Sequence, residues 1–535
     1  MKLNANQLGK RAEKAQANKK NWESMVKDAY EFALPMRNIF ESQTAGQQKM
    51  DRVFDSTAIN STQNFASTLQ QGVTPPFQEF LDFLPGAEIP EQHQEEARKQ
   101  LKEKQKQFFE IVHSSNFDLA IAEFNMDLAA GTGAMLVMEG TDEKPLNHIA
   151  VPNAQVSIDE GPFGSVDGVF RRHDKPLRVL EIEWPDIKPD MKAELRKKEN
   201  EEPGATAHLI EGTYYDLESD KYIYQVLLAG TGKEAGQVGG QDKAGNGADA
   251  KIIVERKMDV NPWIITRWVK VAGEVYGRGP LLFALPDIKT LNKAKEFILQ
   301  RASFDVAGMW EAVDDGVMNP DLIEIVPGAV IPVAASGNLR GLAPASNMDV
   351  SQLVVQDLQL SIKEALLDES LPSEAGPVRS PTEIMERAKR LQQKTGTPLA
   401  RYMSEFLEPW ANRCLSVLHN KGIMDIRLNV DGKLIKIRPT SPLAQQQSLQ
   451  EIQDVLQYLQ ITQGLGPEVF ALGVKVEDVP EWLGQKLAID PKLMRNGAER
   501  KQAQELAGQA AAQQQAAAQQ PTTGNGQPEQ PPVSL

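Results

Sequence analysis

Gly230, Thr231, Gly232 and Lys233 are the residue types that cradle a phosphate on backbone amides and neutralise it with a lysine. Their spacing withholds that chemistry: Leu227 stands where the leading glycine belongs, and Glu234 where a serine or threonine would hold magnesium. Gly131, Thr132 and Gly133 lack a third glycine and follow a helical pattern rather than a strand, so a dinucleotide site is not expected. The histidines, His93, His113, His148, His173, His208 and His419, show no metal-ligand spacing. Asp314 and Asp315 have the types for a metal or general-base pair, but in a turn-rich stretch a solvated turn is the simpler reading. Cys414 lies on the apolar side of a helical pattern and reads as a buried thiol, not a nucleophile. No catalytic residue, metal site or cofactor is expected, and the chain does not read as an enzyme.

Charge carries more information. Lys289 and Lys293, with Arg301, lie close to one helical face, where they can touch phosphates or serve as a solvated face with ion pairs. Arg379, Arg387, Arg390 and Lys394 form a second basic set. Between the two sets runs an acidic stretch, Asp305, Glu311, Asp314, Asp315, Asp321 and Glu324, opposed by Arg340 alone.

The elements that must position these charges follow one another in a clear order. Gly279 and Pro280 are start signals for a helix through Leu281, Leu285, Ile288, Leu291, Ala294, Ile298 and Ala302, with Pro286 a kink candidate. A breaker-rich insertion, 305–347, has strand candidates around Ile323 to Val326 and Val330 to Val333. A second helix, 348–368, repeats the apolar spacing, so the two helices are expected to pair antiparallel with the insertion at their tip. The Pro/Gly loop that follows stops at a capping box, Ser380, Pro381, Thr382 and Glu383. The long helix beyond it is broken near Thr395 by Gly396 and Pro398 and ends at Gly422.

Before this block, helices are expected at 19–32, 55–70 and 116–131, with an exposed charged helix at 91–113. Strands follow at 134–139, 147–151, 155–159 and 166–171, then a hairpin of 208–215 with 221–228, and strands at 251–256 and 262–269. After Pro439, helices are expected at 443–459, 476–487 and 491–506, and then a solvated Gln/Ala/Pro-rich tail.

Several of these residues together resemble a known family. They are Tyr276-Gly277-Arg278-Gly279-Pro280, the helix carrying Asp287, Leu291 and Asn292, and the helix opening Arg379-Ser380-Pro381-Thr382-Glu383-Ile384. Leu399, Arg401, Glu405, Leu407 and Pro409 continue the likeness past a break that reads Gly396-Thr397-Pro398, one residue looser than usual. The chain resembles the portal, or head-to-tail connector, proteins of short-tailed tailed bacteriophages.

The resemblance implies an α+β portal fold: an α/β wing at 1–275, a two-helix stem at 276–304 and 348–368, and a small strand-containing clip at 305–347. A tunnel loop at 369–380, a long kinked helix with following strands at 381–440, a helical crown at 441–506 and a tail at 507–535 complete it. It implies a ring of about twelve copies at one capsid vertex, with double-stranded DNA packaged and ejected through its channel. In that setting Lys289, Lys293 and Arg301 line the channel, and Leu371, Pro372, Ser373, Glu374, Ala375, Gly376, Pro377, Val378 and Arg379 form the tunnel loop. Arg387, Arg390 and Lys394 meet DNA or the neighbouring subunit, and Glu311, Asp314, Asp315, Asp321 and Glu324 dock partners. Those partners are a packaging terminase, which supplies ATP hydrolysis, a tail adaptor or tail tube protein, the major capsid protein, and scaffold or internal core proteins. A virion location after assembly in the host cytoplasm follows, with no membrane. The alternative is an internal core or scaffold protein of a phage capsid without a channel, which would be more helical and poorer in Pro and Gly than 305–347.

Composition agrees. At 535 residues more than one module is expected, and a single cysteine excludes an internal disulfide framework. Met1 to Lys20 has no apolar signal region, and no apolar run approaches the roughly 20 residues of a membrane helix. The net charge of -15 argues against tight DNA binding; it suits a conduit that must not grip its cargo, or serves solubility alone.

Overall fold

A computed structural model describes residues 2–40, 49–86, 91–232, 250–307, 310–313, 330–333, 340–341, 349–368, 396–424, 435–440, 442–464, 466, 470, 472–475 and 479–486. The fold is α+β, in two units: Met1–Glu88 with Glu103–Leu443, and Ile89–Lys102 with Ala444–Leu535.

Helix α1 (Ala5–Ala33) begins well before the Lys19 start that apolar periodicity suggests. A reciprocal cap sets its origin: Gln7 N donates to Asn4 Oδ1 at 2.9 Å and Asn4 N donates to Gln7 Oε1 at 3.0 Å. Its first half buries Leu8, Ala12 and Ala15, two of them too small to stand out among Lys and Gln.

After α2 (Thr57–Val73), β1 (Leu81–Pro85), α3 (Glu91–Ser114) and α4 (Phe117–Ala129) come the sheets of the first unit. Strands β2 (Thr132–Glu139), β3 (Leu146–Ala150) and, later, β9 (Trp263–Arg267) pair in the order β3-β2-β9. Strands β4 (Val156–Glu160), β5 (Val166–Pro176), β6 (Thr206–Asp216), β7 (Lys221–Gly232) and β8 (Lys251–Met258) form an antiparallel sheet in sequence order. Period-two alternation sends Phe170, Ile210, Ile223 and Leu227 to the face covered by Leu8, Ala12 and Ala15. Val169, Leu209, Tyr224 and Val226 go to the opposite face, packed with Leu180, Trp184 and Leu195. The last three come from α5 (Leu177–Glu183), α6 (Pro189–Glu201) and the link between them, a helical pair absent from the sequence expectation.

α3 is not the exposed helix its charges suggest. Gln105, Phe108, Phe109 and Val112 are buried because the charges cluster ahead of them. Phe80, Phe108, Phe117 and Trp410 stack at centroid distances of 4.6 to 5.9 Å and tie α3 and α4 to the long helix.

Lys19 is buried where α1 crosses the entry to β4, its ammonium donating to the Asn153 carbonyl and, at 2.8 Å, to that of Val156. Burial pushes its pKa down from 10.5 to about 7, and a neutral amine still has two N–H donors for the two carbonyls. With the folded pKa depressed, the unfolded chain binds more protons between about pH 7 and 10.5, so stability rises with pH across that window and is flat in this term below it. The slope is at most about 1.4 kcal/mol per pH unit. Lys19→Met is expected to flatten the rise of thermal midpoint between pH 7 and 9; an unchanged slope would assign it to other groups.

The chain then enters α7 (Pro280–Ala307), strands β10 (Trp310–Val313), β11 (Val330–Val333) and β12 (Arg340–Gly341), and α8 (Asp349–Ala365). β10 pairs in parallel with β11 and antiparallel with β12, so the insertion does contain a small sheet. Pro286 lies inside α7 as expected. Residues 396–402 are helical, Met403–Leu407 form one π-helical turn, and α9 (Glu408–Asn420) follows. The π turn was not anticipated; Pro409 has no N–H for the Glu405 carbonyl, and the wider turn accommodates the gap. Gly422, at φ +69°, ends the helix. β13 (Ile435–Pro439) pairs antiparallel with β1, leaving Arg438 3.0 Å from Asp82.

In the second unit, α10 (Pro442–Gly464) and α11 (Val479–Lys486) match the expected helices, and the unit boundary falls within α3. The Ile323 to Val326 strand, the loop Leu371 to Arg379, the capping box at Ser380, the break near Thr395, the helix at 491–506 and the tail lie outside the described residues. No described helix is long and apolar enough to cross a membrane.

Candidate functional site

The most distinctive construction is the two-helix arm and its root. At the root three glycines interlock. Gly131 leaves α4 at φ +121°, its carbonyl accepting from Trp268 N at 2.9 Å. Gly277 N donates to Thr132 Oγ1 at 2.9 Å, and Val269 and Arg278 exchange backbone hydrogen bonds of 3.2 and 2.8 Å. A Cβ on Gly277 would overlap the Gly131 carbonyl oxygen, and one on Gly279 that of Ala129. Tyr276 to Pro280 can thus pass the end of α4 only where the side chains are missing. Gly131 and Thr132 serve this close approach, and Gly133 makes room for the Phe124 ring. Buried Tyr276 accepts from Ile158 N at 3.1 Å, and burial raises the pKa of its phenol.

Polar clamps hold the near half of the arm. Asn292 Oδ1 accepts from Phe54 N at 2.7 Å while its Nδ2 donates to the Arg52 carbonyl at 2.6 Å. Leu291, beside it, is buried. Asp287 accepts from Ser361 at 2.7 Å, joining the start of α7 to the end of α8 and making the pair antiparallel. Asp368 accepts from Ser61 Oγ at 2.7 Å and Asn64 Nδ2 at 3.0 Å, and Gln359 donates to Asp55 at 3.0 Å. Behind the root, the Arg267 guanidinium holds Glu405 of the π turn through contacts of 2.8 and 3.2 Å, and Arg401 adds a third at 2.8 Å.

Past Asn292 the arm changes character. Among the described residues of α7, every buried one lies between Pro280 and Asn292. The remaining 15 residues, at about 1.5 Å each, extend roughly 22 Å with no buried side chain. Phe297, Leu299 and Val306 on α7 and Leu353 and Leu360 on α8 are 54 to 90% exposed.

The basic residues expected to line a channel are all engaged. Lys289 pairs with Asp28 of α1, Lys293 with Glu296 at 2.9 Å while lying over the Phe297 ring, and Arg301 with Asp305 at 3.6 Å. Glu311 stands in β10, whereas Asp314, Asp315, Asp321, Glu324, the loop Leu371 to Arg379, and Arg387, Arg390 and Lys394 lie outside the described residues. Gly230 to Gly232 are extended in β7, paired with β6, and form no loop. Cys414 is buried 3.7 Å from His148, and burial raises the thiol pKa and lowers that of His148 to about 3. Among the described residues no group of His, Cys, Asp and Glu could hold a metal ion.

A family model described as bacteriophage head to tail connecting protein matches residues 5–494. The chain belongs to that family. It is therefore a structural protein of the virion, a connector between head and tail, and not an enzyme. No curated protein matches it. Among solved structures it is loosely similar to a chain of the virion of a native gene transfer agent (GTA) particle, at 10% identity over 75% of this chain and 85% of that one, with a TM-score of 0.35. A chain from the neck of an empty GTA particle computed with C6 symmetry gives 12% identity, 76% and 89% coverage, and a TM-score of 0.36.

The connector's structure gives physical roles to residues that carried the family resemblance. Gly277 and Gly279 permit the crossing, Asn292 and Asp287 clamp the arm, and Glu405 braces the root. Sequence reasoning overlooked Arg267, Asp368 and Asn4. The cap at Asn4 had a local signal, Gln7 three residues on. The other two act on partners far away in sequence, and nothing local marks them.

Proposed function

We propose that this connector is a portal: a closed ring of about twelve copies at one capsid vertex of a short-tailed phage, through which double-stranded DNA is packaged and later ejected. The observation that carries the reading is the outer half of the arm, where α7 buries no side chain and holds large apolar residues in solvent, in a chain belonging to the head-to-tail connector family. Phe297 on one side of α7, Leu299 and Val306 on the other, and Leu353 on α8 are large apolar side chains held in solvent. Bases outnumber acids on α7, through Lys289, Lys293, Lys295 and Arg301, whereas on α8 Asp349, Asp357 and Glu364 outnumber Lys363. Setting α7 of one copy against α8 of the next brings apolar surface together and opposes unlike charge. A head-to-tail contact of that kind closes into a ring when its rotation allows.

In this reading 276–304 and 348–368 are the stem, 305–347 the clip, 369–380 the tunnel loop, 381–440 the long helix and following strands, 441–506 the crown, and the α/β part before 276 the wing. Lys289, Lys293 and Arg301, already held by carboxylates, offer phosphates weak contacts, which suits a duplex that must slide. Glu311, Asp314, Asp315, Asp321 and Glu324 give the clip an acidic surface for the packaging terminase and then the tail adaptor. Arg387, Arg390 and Lys394 set the register between copies, and assembly takes place in the host cytoplasm. Electron microscopy of the purified full-length chain tests the reading, with closed rings as the expected result and open filaments or monomers alone as the contrary one.

A further inference from the structure

At one end of the five-stranded sheet, two turns each hold a large apolar side chain out in solvent. Phe163, between β4 and β5, is fully exposed, and Leu217, between β6 and β7, is 86% exposed. The pairing of Gly168 with Tyr214 sets both turns at the same end of neighbouring strands. Neither display is a default of loose chain. Phe163 adopts φ +56°, a left-handed conformation that disfavours any side chain. Its turn is braced from behind: the Gly164 carbonyl accepts from Lys270 Nζ at 2.9 Å and Arg267 Nη1 at 3.0 Å. On the Leu217 side, Asp216 accepts from Ser219 Oγ at 2.7 Å, and Tyr215 donates its hydroxyl to Asp220. Rigid apolar anchors of this kind lose little entropy on binding.

The surroundings are acidic. Glu160 and Asp167 flank the first turn, and Asp216, Glu218 and Asp220 lie in the second. Arg11, Lys221, Lys270 and Arg267 reach into this end, and each is engaged by a carboxylate: Arg11 by Asp159 and Asp167, Lys221 by Asp259, Lys270 by Glu160 and Arg267 by Glu405. Acids outnumber bases over this end of the sheet as a whole because of Asp216, Glu218 and Asp220 at the second turn. Such a surface repels DNA and repels the same surface on a second copy.

We infer that this end of the sheet docks a basic, apolar segment of a different protein of the particle, with Phe163 and Leu217 as anchors and the carboxylates selecting its charge. This goes beyond the portal reading, since rings can form and pass DNA whether or not the surface is used. A photoreactive benzoylphenylalanine placed at 163, and separately at 217, in particles assembled with the full chain tests it. The expected result is an adduct at both positions to one segment of another virion protein, the mapped peptide carrying net positive charge. Glu218→Gln with Asp220→Asn is expected to lower the adduct yield roughly threefold or more, as loss of complementary charge requires. Adducts to a second copy of this chain or to DNA, adducts to a neutral or acidic segment, or no adduct at either position would each overturn the inference, while ring formation in the same preparation reports separately on the portal reading.

Discussion

Gly279→Ala is expected to leave little soluble, folded connector. The added Cβ would overlap the Ala129 carbonyl oxygen and approach the Gly131 amide, both backbone atoms that no rotamer change can move aside. Relief requires separating α4 from the start of α7, which breaks the exchange between Val269 and Arg278 and the bond from Gly277 N to Thr132. The expected cost is about 3 kcal/mol or more, a large share of a domain's net stability. Gly131→Ala adds strain at φ +121° to the same crowding and is expected to be at least as severe. Gly273→Ala is the control: its φ is +79° but nothing lies within 4 Å, so only about 1 kcal/mol is expected. Soluble yield and resistance to proteolysis read all three, because a multi-unit chain has no single unfolding free energy. A Gly279→Ala protein as robust as Gly273→Ala would show that the interlock does not hold the root.

Deleting Leu371 to Val378 is expected to spare folding and ring assembly while lowering DNA packaging or retention by an order of magnitude or more. The arm keeps its anchors without this segment, because Asp368 is already fixed to Ser61 and Asn64 before it begins. In the portal reading the segment belongs to the tunnel. Filled particles counted by genome content give the answer, and normal packaging would remove the segment from the tunnel.

How much of this was legible in the sequence depended on the range of the interaction. Gly279 and Pro280 announced the start of α7 because helix entry is a local event, and the β6–β7 turn appeared where its run of acidic and small residues placed it. The first half of α1 escaped because it buries alanines, which carry little hydrophobic contrast. α5 and α6 are short and charged, and the burial of α3 depended on aromatics clustered at one end. The least legible features were long-range pairs. Arg267 meets Glu405 across 138 residues and β1 pairs with β13, Leu81 opposite Pro439, contacts no local pattern encodes. The same limit applied to Lys289, Lys293 and Arg301: helical spacing gave their face, but their carboxylate partners appear only in the folded chain.

In the portal proposal, copies of this connector close around a channel through their arms. Single-particle electron microscopy of the purified full-length chain tests it most directly. Closed rings of one size are expected, with a central hole wide enough for a DNA duplex and the helices 280–307 and 349–365 of adjacent copies packed against each other. Monomers or open filaments at every concentration, or rings whose subunits meet elsewhere and leave Phe297, Leu353 and Leu360 in solvent, would contradict it.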